Sequence, residues 1–181
     1  MYQYKNGLVI GRFQCFHKGH EMIIRNALDL CERVYVIVGS AQESRTKRNP
    51  FTASERQGMI YRALKEYLVD GRLIVIPLAD RENPSDDSSW GEYVMNAISS
   101  KGYELPEAVF EGNDPERQTW YETVGLKLHI ADRNIIPISA TALRDAILRD
   151  DKDFWYANKA SGTKRKEYDF MREIILEVEG K

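Results

Sequence analysis

Two cysteines, Cys15 and Cys31, are all that the 181 residues contain, which excludes a disulfide-stapled scaffold or a four-cysteine metal knuckle. With no secretory leader before them, the expected setting is the reducing cytoplasm. Long apolar runs are also missing. The longest, Val34 to Val38, is strand-sized and far short of the roughly 20 residues that span a bilayer, so no membrane span is expected. Neither charge sign dominates: 26 Lys and Arg against 28 Asp and Glu leave a net charge of -2, which argues against a nucleic-acid surface. Histidine is scarce, and His129 stands far along the chain from His17 and His20. A protein zinc site wants three or four ligands, so no metal bound directly by the protein is expected.

What is present is an ordinary globular mixture, 43% hydrophobic and 30% charged, in a chain long enough to bury roughly 70% of its unfolded surface without staples. The expected organisation is one domain over 1–181, an α/β core to about 149 and a helical tail from about 150. Ala160-Ser161-Gly162-Thr163 is the one candidate internal break. Nothing here fixes the oligomeric state, and a homo-oligomer is left open.

Apolar runs at Gly7–Phe13, Val34–Val38, Leu73–Ile76, Ala108–Phe110 and Leu126–Ile130 read as strands. Helical spacing links Ile24, Ala27, Leu28 and Cys31, and again Met59, Ile60, Ala63, Leu64, Tyr67 and Leu68 behind the capping box Thr52-Ala53-Ser54-Glu55. A helix is expected around Trp90–Ile98 after a long polar loop, another from Asp114-Pro115, a third from Ala140 to Leu148 capped by Ser139, and further turns over Phe154–Ala157 and Tyr168–Val178. Regular alternation of strand and helix predicts an α/β fold: a Rossmann-like parallel sheet sandwiched by helices, with a helical C-terminal appendage.

In such sheets a ligand meets the carboxyl ends of the strands, where helix amino-termini favour anions. The stretch Arg12 to His20 falls at that edge. Gly11 and Gly19 would allow close backbone approach, while His17 and His20 offer paired donors to phosphate oxygens. Ser139, Thr141 and Arg144 form a second phosphate-handling set, in which the arginine can grip oxygens as a fork. Of two basic clusters, Lys164-Arg165-Lys166 reads as a solvated face, and Arg45 with Lys47 and Arg48 divides evenly between solvated and functional readings.

Together His17-Lys18-Gly19-His20 and Ile138-Ser139-Ala140-Thr141-Ala142-Leu143-Arg144 resemble the HxGH nucleotidylyltransferase superfamily. More narrowly, Gly11-Arg12-Phe13-Gln14, Gly39 to Ser44 and Asn49 to Arg56 resemble the archaeal-type nicotinamide mononucleotide adenylyltransferases. Glu111-Gly112-Asn113 lies where that family carries a Gly-Asn strand end. The likeness runs from Gly7 to about Arg149, with three departures: Cys15 in place of a common proline, which offers a thiol to oxidation or alkylation, Ala140 in place of glycine, and a longer loop from Asp80 to Trp90.

The resemblance implies transfer of the adenylyl group of ATP, with Mg2+, to nicotinamide mononucleotide, giving NAD and pyrophosphate. It implies catalytic roles for His17, His20, Arg144, Arg12 and Lys18. ATP contacts fall to Gly11, Phe13, Gln14, Gly19, Ser139, Thr141, Gly112 and Asn113, and mononucleotide contacts to Arg45, Asn49, Phe51, Asp80 and Trp90. Trp90 is expected to stack on the nicotinamide ring, worth about 0.5–2 kcal/mol. Competing readings keep the chemistry and change the acceptor to pantetheine phosphate, flavin mononucleotide or a sugar-alcohol phosphate, or make the chain a catalytically silent nucleotide-binding regulator.

Overall fold

The computed structural model of the chain describes residues 1–81, 87–112, 119–132 and 134–180, with residues 87–89 described by their backbone alone. The elements are β1 (Tyr4–Gly11), α1 (Lys18–Leu30), β2 (Cys31–Val38), α2 (Ala53–Ala63), α3 (Lys65–Val69), β3 (Leu73–Pro77), α4 (Asp87–Ser99), β4 (Ala108–Gly112), α5 (Trp120–Thr123), β5 (Lys127–Ala131), α6 (Ala140–Leu148), α7 (Lys152–Asn158) and α8 (Arg165–Glu179). The expected helix start at Asp114-Pro115 lies outside the described residues.

The five strands form one parallel sheet in the order β3-β2-β1-β4-β5. The chain builds the sheet outward from β1 in one direction through β3 and then in the other from β4, so the strand order switches between β1 and β4 and opens a crevice at their carboxyl ends. Alternation along the strands sends side chains to two cores. Val9, Val34, Val36 and Val38 pack under α1, α2 and the C-terminal helices, while Leu8, Tyr35, Ile37 and Ile76 pack against α4 and α5. The Rossmann-like sandwich is therefore present. His129 serves the fold: its Nε2 lies 2.8 Å from the Tyr4 hydroxyl, and its ring stacks on Phe110.

Cys31, expected on the face of the first helix, is extended and opens β2, which therefore starts three residues before Val34. Other departures have visible reasons. β1 ends at Gly11 because Phe13 turns into the left-handed region at φ 54°. The single helix expected through Leu68 breaks at Leu64, where the Ala63 carbonyl accepts from the Arg25 guanidinium at 3.2 Å and shares, at 3.0 Å, the Ser161 hydroxyl proton whose nearer acceptor is Glu21 at 2.5 Å. Those bonds replace the one a continuous helix would form there. The candidate break at Ala160–Thr163 is a docked strap: Ala160 is buried and the Ser161 amide donates to Glu21 at 2.7 Å.

The C-terminal helices are present, and they are built into the core. Trp155, Tyr168, Met171, Ile174 and Ile175 belong to the same buried cluster as Ile24 of α1 and Ile60 of α2. Both cysteines are interior, Cys15 and Cys31 each being 0% exposed. Burial pushes both thiols up to about 12, which corrects the expectation that Cys15 offers a reactive thiol, because the thiolate is the reactive form.

Trp155→Ala should therefore cost about 3–5 kcal/mol of stability in urea unfolding, the loss typical of a fully buried indole; an appendage would lose far less. Native protein at pH 8 should leave both cysteines unmodified by iodoacetamide, and urea-unfolded protein should react at both.

Candidate active site

A cleft of about 490 Å³ occupies the crevice between β1 and β4. Arg12, Phe13, Gln14, His17, Gly19, His20, Gly112, Thr141 and Arg144 all line it, so residues from opposite ends of the α/β core meet there because the parallel sheet aligns its strand ends. Asn113 lies outside the described residues.

His17 is the N-cap of α1, with extended backbone at φ -142° and ψ 172°. Its Nδ1 accepts from the amides of Gly19 at 3.1 Å and His20 at 3.3 Å. A nitrogen that accepts two amide protons carries none of its own, so a neutral ring holds its proton on Nε2. The imidazole thus takes over amides that would otherwise meet an anion directly. Its ring stacks on His20, with centroids 3.7 Å apart and planes 19° apart, and His20 is braced in turn by Phe13 and Phe16.

The glycines differ from expectation. A Cβ on Gly19 would meet the His17 ring and Ile138 at 3.1 Å, and one on Gly11 would meet the Phe13 ring at 2.9 Å. Their lack of a side chain admits these rings, and the space beside them is already filled.

In the same cleft, Arg144 on α6 donates to the Gln14 carbonyl and to the Thr141 hydroxyl, the latter at 3.2 Å. Burial pushes its guanidinium down from the ordinary value, but arginine keeps its charge, and these two neutral oxygens leave that charge for a ligand. Ser139 accepts from the Ala142 amide at 3.1 Å as the α6 cap and does not line the cleft. Arg12 is pushed down first by burial, then by repulsion from Arg48 and Arg144. Gln14 lines the cleft, but its side-chain amide donates to the Phe51 carbonyl and accepts from the Phe51 amide, both at 2.9 Å, so it clamps the 50s loop to the cleft floor.

The remaining residues named from sequence do not line this cleft. Lys18 donates to the Ala157 carbonyl at 2.7 Å. Arg45 pairs with Glu55 at 2.6 Å and bonds the Pro50 carbonyl. Asn49 is buried and donates to Glu43, and Phe51 is wholly inside the core. Asp80 accepts from the Ser40 amide at 3.2 Å and the Gln42 side chain at 3.0 Å, at the ends of β2 and β3. Trp90 is half-buried on α4 beside Tyr93. Of the basic cluster, Arg45 is paired with Glu55 and Lys47 with Glu179; Arg48 is the member whose charge acts on Arg12.

Several cleft-lining residues were not assigned to the site from sequence, Met22, Ile23, Glu111 and Ile136 among them, and two further side chains stand out. Trp120, 5% exposed, forms part of the cleft wall, and only its place just after β4 could have signalled it. Arg56, 0% exposed, donates to the carbonyls of Thr52, Arg12, Gly39 and Ser40 at 2.6–3.2 Å. It thereby ties the ends of β1 and β2 beside two left-handed residues, Phe13 and Ser40, at φ 54° and 48°. Burial is the main reason its guanidinium sits below the ordinary value.

Among the described residues no group of three or more His, Cys, Asp or Glu could hold a metal ion, and no helix is long and apolar enough to cross a membrane. Residues 8–146 match the model of the cytidylyltransferase-like family. A protein of Archaeoglobus fulgidus named nicotinamide-nucleotide adenylyltransferase is 30% identical over 176 residues, covering 94% of this chain and 90% of that one. A protein of the same name from Thermococcus onnurineus is 36% identical over 118 residues, 65% of this chain, and the match spans only 59% of that relative's length. A bifunctional NMN adenylyltransferase/ADP ribose pyrophosphatase from Francisella tularensis, solved with AMP and a manganese ion, shares the fold at a TM-score of 0.73 and 20% identity, covering 97% of this chain and 52% of that one. With the family model spanning most of the chain and the Archaeoglobus relative matched nearly end to end, the chain belongs to the cytidylyltransferase-like family, in the branch that holds the archaeal nicotinamide-nucleotide adenylyltransferases.

Proposed function

We propose that this chain joins ATP to nicotinamide mononucleotide, giving NAD and pyrophosphate, by in-line attack of the mononucleotide phosphate on the ATP α-phosphate. The observation that carries the reading is the meeting of His17, His20, Thr141 and Arg144 in one cleft at the sheet's reversal point. The names of the archaeal relatives supply the acceptor.

The attacking phosphate is already ionised near neutral pH, so no general base is required, and catalysis is positioning and charge stabilisation. With Nδ1 engaged, His17 presents Nε2–H as a donor to phosphate oxygen as charge grows there. His20 stands against it face to face. Arg144, and Arg12 at the mouth, supply the cationic side. The cleft donors are N–H groups and guanidinium groups, which suit phosphate oxygens, so the divalent ion, magnesium in this reading, enters on ATP as part of the substrate.

Asp80 lies outside the cleft at the ends of β2 and β3, and the reading puts the mononucleotide beside it, with Trp90 as the stacking ring. The setting in this reading is the cytoplasm, where both thiols stay reduced.

Incubation of the purified chain with ATP, magnesium and, in turn, nicotinamide mononucleotide, pantetheine phosphate and flavin mononucleotide should yield NAD from the first and little product from the others. Robust use of another acceptor without NAD formation would sink the assignment. His20→Ala should lower kcat by about 10²–10³, the effect of removing one preorganised donor, with an unchanged circular dichroism spectrum. Arg144→Lys should raise the KM for ATP, because a lysine cannot reproduce the planar fork; an unaltered KM would remove Arg144 from the triphosphate site.

A further inference from the structure

The segment after α7 runs against the turn that carries the two histidines. Lys159 pairs with His17 in an isolated antiparallel bridge, and the Ala157 carbonyl accepts from the Lys18 ammonium at 2.7 Å. Glu21, one residue after His20 and 7% exposed, accepts the Ser161 amide at 2.7 Å, the Ser161 hydroxyl at 2.5 Å and the Arg25 Nε at 2.9 Å. Arg25 continues the chain of bonds to Glu66 and to the Ala63 carbonyl. None of Ala157, Lys159, Ser161, Lys18 or Glu21 lines the cleft.

The anchors alternate with the cleft-facing residues. His17 by its backbone, Lys18 and Glu21 are tied to the strap, while the His17 ring, Gly19 and His20 face the ligand side. Apolar packing alone could hold α1 to the tail. A buried carboxylate is an expensive way to do so, because it must leave water, but charge-assisted bonds fix direction as hydrophobic contact does not. Direction is what the site needs: the His17 proton must point at one phosphate oxygen, and a displacement of about 1 Å can cost 10²-fold in rate.

We propose that Ser161 is a positioning residue for the nucleotidyl transfer proposed above, on which this inference rests, acting through Glu21 to hold the His17–His20 turn in line with Arg144. The tail is then part of the catalytic apparatus without touching substrate.

The test compares Ser161→Ala, Ser161→Thr and Glu21→Gln in the full chain, well below each variant's unfolding midpoint. Ser161→Ala should lower kcat by about 10- to 100-fold with the KM for ATP changed by less than about twofold. Ser161→Thr, which keeps the hydroxyl, should recover most of the loss. Glu21→Gln, nearly isosteric, should show the same split and carries the test should Ser161→Ala fail to fold. Ring-nitrogen NMR of the ligand-free protein gives a readout that needs no substrate: His17 Nδ1 should read as an unprotonated acceptor in the wild type and lose that signature in the variants. Wild-type kcat in folded variants, with only a lower unfolding midpoint, or unchanged His17 signals, would overturn the positioning role. Absence of NAD formation by the wild type would instead overturn the proposed function.

Discussion

The capping of α1 by His17 is the interaction on which the site depends. One ring nitrogen closes the helix start by accepting two amides, and the ring that does so also lines the cleft. A helix end ordinarily offers its amides to an anion directly. Here the imidazole stands between, on a side chain whose plane is fixed by stacking on His20 and, through it, by Phe13 and Phe16. Gly19 leaves room for that ring, which a Cβ there would crowd at 3.1 Å.

Around this cap, positive charge is arranged by a consistent device. Arg56 and Arg144 donate to neutral carbonyl or hydroxyl oxygens rather than to partners that would cancel them. The first ties the ends of β1 and β2 together, and the second lines the same cleft as the histidines. Arg45 shows the contrast: its ion pair with Glu55 is the dominant reason the Glu55 carboxyl sits below its usual range, and the pair locks the 45–55 loop rather than serving the cleft.

Much of the fold was legible because its signals are local. β-branched runs marked the strands, the Thr52–Glu55 capping box formed as written, and Ser139 capped α6. The break at Leu64 was not legible, since the helical face continues through it; side chains from α1 and the tail take the Ala63 carbonyl from outside. In the site, the two motifs converged as their residue types implied. The mononucleotide residues fared differently because a basic or aromatic residue announces a capacity and leaves its partner unstated: Arg45 found Glu55, Lys18 found Ala157, and Phe51 went to the core.

By itself the sequence determined the strand and helix order, the parallel sandwich and the pairing of His17–His20 with Ser139–Arg144, since periodicity, capping and motif chemistry act within short stretches of chain. Only the tertiary structure decided which nitrogen of His17 caps α1, which cations are tied up in ion pairs, and that the tail is docked on the His17–His20 turn through Ser161 and Glu21. Those outcomes depend on contacts between residues as many as 140 positions apart, and no local pattern encodes which of many possible partners a buried polar group will meet.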